Sequence, residues 1–172
     1  IICSNPLEQF KSKKKQIYNS VKRVLNSSNY ILGENVKNFE NEFSNYIGLR
    51  YSVGVANGTD ALELALKSLN IGKGDEVITV SHTALATVSA IYASGATPVL
   101  VDVSKEYFTI DTNLIKKNIT KKTKAIIAVH IYGQSVNLDE ILKICKSKKI
   151  KLIEDVSQAH GGNWRNNKLG YF

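Results

Sequence analysis

Apolar residues recur at helical spacing over the first fifty positions and afterwards gather in short runs broken by glycine. Leu7, Phe10, Ile17, Val21 and Leu25 form a loose stripe. Pro6, following Asn5, suits the first turn of a helix, where its missing N–H is not needed. Asn26-Ser27-Ser28-Asn29 interrupts that stripe. Beyond Gly33 the pattern returns at Val36, Phe39, Phe43 and Tyr46, and Gly48 supplies a stop. From Tyr51 the rhythm becomes strand, turn, helix. Strands are predicted at 51–56, 76–80, 97–101, 124–131 and 150–154, and helices at 59–69, 83–94, 111–119 and 137–147. Strands that alternate with helices need crossover connections. The expected fold class is therefore α/β, a mainly parallel sheet between helix layers. Residues 1–50 read as an N-terminal helical segment and 51–172 as the α/β domain. The end breaks the rhythm. After Gly161-Gly162 and Asn166-Asn167, Leu169-Gly170-Tyr171-Phe172 looks like the beginning of another strand, so the domain is expected to be incomplete at its C-terminus.

Composition narrows the class. With 172 residues, 43% hydrophobic and 22% charged, the chain suits one globular domain and is short for two. No apolar run approaches the roughly 20 residues that span a bilayer, and the start lacks the pattern of a secretory leader. A cytoplasmic protein without membrane partners is expected. Cys3 and Cys145 form no Cys-x-x-Cys pair, so neither a metal site nor a redox motif is expected; Cys145 fits an apolar helical pattern as a small core residue. The net charge of +8 comes from lysine clusters at 11–15, 116–124 and 146–151. No arginine stripe or aromatic ladder accompanies them, so they read as solvated surface with some capacity to steer anions, and no nucleic-acid groove is expected.

Three strand-to-helix junctions carry candidate chemistry, because ligands of parallel α/β sheets bind beyond the carboxyl ends of the strands. At Gly54-Val55-Ala56-Asn57-Gly58-Thr59-Asp60, glycine permits close backbone approach and a helix start offers unpartnered N–H groups. It reads both as an ordinary capping turn and as a phosphate cradle. It matches neither G-x-G-x-x-G nor a P-loop. At Glu154-Asp155-Val156-Ser157-Gln158-Ala159-His160 a carboxylate closes a buried run, either as a cap or as the partner of a protonated ring nitrogen. At Ser81-His82-Thr83-Ala84 the imidazole serves either as a capping or core group or as a face against a planar ligand.

Taken in order, the segments Gly-Val-Ala-Asn-Gly-Thr-Asp-Ala-Leu (54–62), Gly-Asp-Glu-Val-Ile-Thr (74–79), Gly-Ala-Thr-Pro-Val-Leu-Val-Asp-Val (95–103), His-Ile-Tyr-Gly-Gln (130–134) and Glu-Asp-Val-Ser-Gln-Ala-His-Gly (154–161) resemble the DegT/DnrJ/EryC1/StrS family of pyridoxal-phosphate sugar aminotransferases, from about Asn29 to Phe172. The resemblance implies the large domain of a fold-type-I aminotransferase. It also implies a homodimer that aminates a nucleotide-linked keto-sugar, with glutamate as donor, for surface polysaccharide or glycoconjugate synthesis. By that resemblance Gly58 and Thr59 hold the cofactor phosphate, Asp155 pairs with the pyridine nitrogen, and Gln158 meets the phenolic oxygen. His82 becomes the stacking residue, since Ala84 stands where many members place a bulky aromatic. Asn57, Asp60, Tyr132 and His160 lie near the site without an assigned step.

The resemblance places the family's catalytic lysine, which forms the Schiff base and moves the proton, beyond Phe172. Lys168 reads instead as a turn residue. The chain as written is thus expected to be an N-terminal fragment, inactive alone. Two other readings stay open: a nucleotide-sugar 3-dehydratase of the same family, in which histidine replaces that lysine, and a non-catalytic binding module.

Overall fold

The computed structural model describes residues 5–172, so Cys3 lies outside it. Helix α1 (Pro6–Asn26) is capped by Asn5, whose side chain accepts from Glu8 N, and it buries no residue. Helix α2 (Glu34–Ile47) ends at Gly48 in the left-handed conformation and buries Ser44 and Ile47. Both follow the predicted stripes.

The predicted strand at 51–56 does not form. Its alternation of apolar residues with Ser52 and Gly54 mimics a half-buried strand, but the segment lies along α2 and joins no sheet. Gly54 N–H donates to the Glu40 carboxylate at 2.7 Å, and the Ser52 hydroxyl donates to the Glu40 carbonyl. Tyr51 and Val53 remain 70% and 78% exposed. The Glu40 carboxylate of α2 thus takes the Gly54 amide that a strand neighbour would otherwise have paired.

The remaining elements are α3 (Gly58–Ser68), β1 (Glu76–Val80), α4 (Leu85–Ala93), β2 (Thr97–Val101), α5 (Thr112–Asn118), β3 (Thr123–Val129), α6 (Leu138–Lys148) and β4 (Lys151–Asp155). The four strands form one parallel sheet in the order β2-β1-β3-β4. Val77 to Val80 and Ala125 to Val129 are buried without a break, which places the core on both faces of the central pair and requires helix layers above and below. Register aligns Val80 with Val101 and Val129 with Asp155. The carboxyl ends of the strands therefore make one rim, and the candidate residues hang from it.

Two boundaries differ from expectation by two residues, and the other element ends by at most one. Helix α4 begins at Leu85 rather than 83, because Ser81-His82-Thr83 bend and Ala84 is extended. Strand β3 stops at Val129, short of 131, and a 3-10 turn (Ile131–Gly133) follows, with Tyr132 left-handed at φ 56°. The C-terminal stretch also differs. Asn163–Trp164 (β5) and Asn167–Lys168 (β6) form an antiparallel hairpin that periodicity does not reveal. Its left-handed residue is Arg165 rather than Asn or Gly, so the usual turn signature is missing. Trp164 Nε1 donates to Asp139, and with Arg165 beside it this holds the Asp139 carboxyl below its ordinary range. Tyr171-Phe172 enters no ladder; Phe172 N–H donates to the Glu154 carboxylate at 2.9 Å. Cys145 is buried, as expected of a core residue, and burial pushes its thiol up to about 11.

Candidate functional site

Two cavities open at the strand rim, one of about 650 Å³ and one of about 180 Å³. They share Gly58, Leu62, Asp155 and Ser157, so the start of α3 and the end of β4 form the wall between them. Thr59, Thr83, Ala84, Ile131 and Gln158 join the smaller cavity, and Asn57, Phe43 and His160 the larger.

The start of α3 is built by a reciprocal cap. Asn57 Oδ1 accepts from Asp60 N–H at 2.9 Å, and Asn57 Nδ2 donates to Asp60 Oδ2 at 3.1 Å. Ala61 N–H is taken by the Asn57 carbonyl. The cap therefore consumes the third and fourth amides and leaves the first two: among the described residues, the N–H groups of Gly58 and Thr59 and the Thr59 hydroxyl have no protein acceptor. They stand at the positive end of the helix dipole, beside the shared wall, which is the chemistry of an anion site. Gly58 has an ordinary φ, and a Cβ there would meet Ser157 Oγ at 3.4 Å. Its contribution is an open backbone toward β4.

Asp155 ends β4. Its Oδ1 accepts from Ser157 N–H at 3.1 Å and from the Ser157 hydroxyl at 2.6 Å, an Asx turn. Among the described residues Oδ2 has no donor, on a side chain that lines both cavities. One oxygen of this aspartate caps a turn, and the other has no donor among the described residues. Gln158 is oriented by the protein. Its side-chain oxygen accepts from Tyr132 N–H at 2.8 Å, which turns the amide NH₂ away as a pair of available donors.

His82 does not reach the smaller cavity's wall, which Thr83 and Ala84 supply from that junction. Its Nε2 lies 3.2 Å from the Tyr132 hydroxyl, and the two rings are 5.7 Å apart and tilted. Tyr132 is 72% exposed, so the pair stands on the rim. His160 is on the far side, its ring 6.0 Å from that of Phe43. Among the described residues no lysine lines either cavity. Lys168 Nζ lies over the Tyr46 ring at 4.5 Å.

The sequence-based list lacks three groups. Ser157 was legible, since a hydroxyl two residues after an aspartate is an Asx-turn pattern. Glu154 and His130 were not. They form a buried pair, with Glu154 Oε2 3.1 Å from His130 Nε2, and only the packing of β3 against β4 brings them together.

Comparison with known proteins identifies the family. Residues 11–172 match the profile of the DegT/DnrJ/EryC1/StrS aminotransferase family. A dTDP-3-amino-3,6-dideoxy-alpha-D-galactopyranose transaminase from Aneurinibacillus thermoaerophilus is 47% identical over 156 residues, 91% of this chain and 43% of that protein. A dTDP-3-amino-3,4,6-trideoxy-alpha-D-glucose transaminase from Micromonospora megalomicea subsp. nigra is 44% identical over 155 residues, 90% of this chain and 41% of that protein. The crystal structure of S. venezuelae DesV in complex with a ketimine intermediate superposes with a TM-score of 0.94 at 38% identity, covering 96% of this chain and 44% of that one. The chain spans about two-fifths of the length of the curated relatives it matches. With the profile matched over residues 11–172 and two relatives more than 40% identical over nine-tenths of its length, the chain belongs to the DegT/DnrJ/EryC1/StrS aminotransferase family.

Proposed function

We propose that these residues hold pyridoxal 5'-phosphate for transfer of an amino group, with glutamate as donor, to a nucleotide-linked keto-sugar. One observation carries the reading: two helix-start amides and an aspartate oxygen, none with a partner among the described residues, line the same cavity wall. The donor set fits the group. Gly58 N–H, Thr59 N–H and the Thr59 hydroxyl would bind the dianionic phosphate. Asp155 Oδ2 would accept from the ring nitrogen and keep it protonated, and the Gln158 amide would donate to the phenolic oxygen. Ala84, Val129 and Ile131 supply apolar wall that excludes water. When bound, the protonated ring supplies an electron sink for the electron pair left at the donor's Cα.

What supports amino transfer is the pair of transaminases described above, each sharing over 40% identity with this chain. What supports a 172-residue unit that binds the cofactor without turning over alone is the lack of a lysine on either cavity among the described residues. The reading extends to a cytoplasmic homodimer that serves surface polysaccharide or glycoconjugate synthesis. Exposed Ile31, Leu32, Tyr51 and Val53 support a second subunit.

The test is an amino-transfer assay of the full-length protein with glutamate and a panel of 3-keto and 4-keto nucleotide sugars, with products separated by mass. Formation of an amino sugar together with 2-oxoglutarate is expected. Loss of a hydroxyl from the sugar without net amination would assign the protein to dehydration instead.

A further inference from the structure

Asp155 can receive a ring nitrogen only if the last residues of β4 are held still, and the structure holds them from behind. Glu154, the preceding residue, leaves the strand on the opposite face and is 3% exposed at its side chain. Its carboxylate receives three donors: His130 Nε2 at 3.1 Å and Gly170 N–H at 3.1 Å on Oε2, and Phe172 N–H at 2.9 Å on Oε1. His130 is fully buried, and its Nδ1 accepts from Val136 N–H at 3.3 Å. That contact fixes the tautomer, so the proton sits on Nε2 and is donated to Glu154. His130 also donates its own N–H to the Asp155 carbonyl at 3.0 Å. The pair therefore ties three segments to one point: the turn bearing Tyr132 and the Gln158 contact, the end of β4, and residues 170–172.

We infer that Glu154 is a positioning residue for Asp155, acting with His130 to fix the carboxylate that meets the ring nitrogen. The inference rests on the cofactor reading above. The substitution Glu154→Gln is isosteric, but it replaces one acceptor by an NH₂ group among three donors. The amide cannot turn to donate to His130 without forcing that ring's other nitrogen against Val136 N–H. One contact must break, and the β4 backbone bearing Asp155 relaxes with it.

The experiment uses pyridoxamine 5'-phosphate, which needs no covalent link, beside its 1-deaza analogue, in which C–H replaces the ring nitrogen. Dissociation constants are measured by fluorescence for the wild type, Glu154→Gln and His130→Phe, with melting curves for each. Wild type is expected to prefer the nitrogen-bearing ring by about tenfold or more. Both variants are expected to reduce that preference by about threefold or more, with little change in affinity for the deaza analogue, since the phosphate cradle on α3 is untouched. An unchanged preference in both variants overturns the inference and leaves the cofactor reading standing. Equal loss of both ligands together with a collapsed melting curve assigns the network to stability alone and also overturns it. Failure of the wild type to bind either ligand overturns the cofactor reading itself.

Discussion

The division of labour within one side chain sets what Asp155 can do. Oδ1 is occupied by the amide and hydroxyl of Ser157, which fixes the carboxylate plane, while Oδ2 has no donor among the described residues. On the proposed reading, Asp155→Ala removes the ring-nitrogen partner and leaves the amides of α3 in place. Affinity for pyridoxamine 5'-phosphate should fall by about 1.5–3 kcal/mol, the worth of a hydrogen bond to a charged group, while affinity for inorganic phosphate stays level. Isothermal titration of both ligands checks this, and a parallel fall in the two would count against the assignment. The identity of this aspartate was legible because the acidic residue closes an apolar run. The free oxygen was not, because it depends on where Ser157 turns. His82 shows the reverse case: its place in the chain suggested a planar ligand, and the fold sets its ring against Tyr132 on the rim.

Among the elements, α3 has the clearest link between its cap and the proposed phosphate cradle. Asn57 and Asp60 satisfy each other across the first turn and so decide which amides remain open. Asn57→Ala should cost about 1 kcal/mol of stability, the usual worth of such a cap. It should also weaken phosphate binding, because a frayed first turn no longer presents Gly58 and Thr59 together. Chemical denaturation with and without phosphate reads both effects; full affinity in a destabilised variant would separate cap from cradle. The strands at 76–80 and 97–101 match their expected bounds to the residue, because each is a short apolar run with glycine close before it, although the first is buried and the second, at the sheet edge, is largely not. The segment at 51–56 has the same look, but its amide and hydroxyl partners come from Glu40 on α2, fourteen residues back from Gly54. Local pattern cannot distinguish a strand partner from a helix partner. The hairpin at 163–168 was hidden for a different reason, since a two-residue turn built on Arg165 carries no turn chemistry of its own.

At the scale of the whole molecule, stability should depend on pH through the buried face of α6. Burial raises the Cys145 thiol from 9.0 to about 11. Between those values the unfolded chain releases a proton that the native state keeps. The thiol's contribution is therefore fully present below pH 9 and is lost as pH rises toward 11. Wild type should melt at falling temperature across that interval, and Cys145→Ala should fall less steeply; identical slopes would remove the thiol from the account. The difference between the two proteins is the quantity that matters.

The strand order β2-β1-β3-β4 has a consequence for a chain emerging from the ribosome. Strand β1 can pair with β2 soon after both are made, because only α4 separates them. Its other edge must wait for β3, which lies beyond β2 and α5 in the chain. At about 5–20 residues per second, that edge stays open for a time on the order of seconds, with the apolar faces of Val77, Ile78 and Val80 still uncovered. During synthesis, a strand that ends in the centre of the finished sheet is therefore the one most in need of protection by a chaperone.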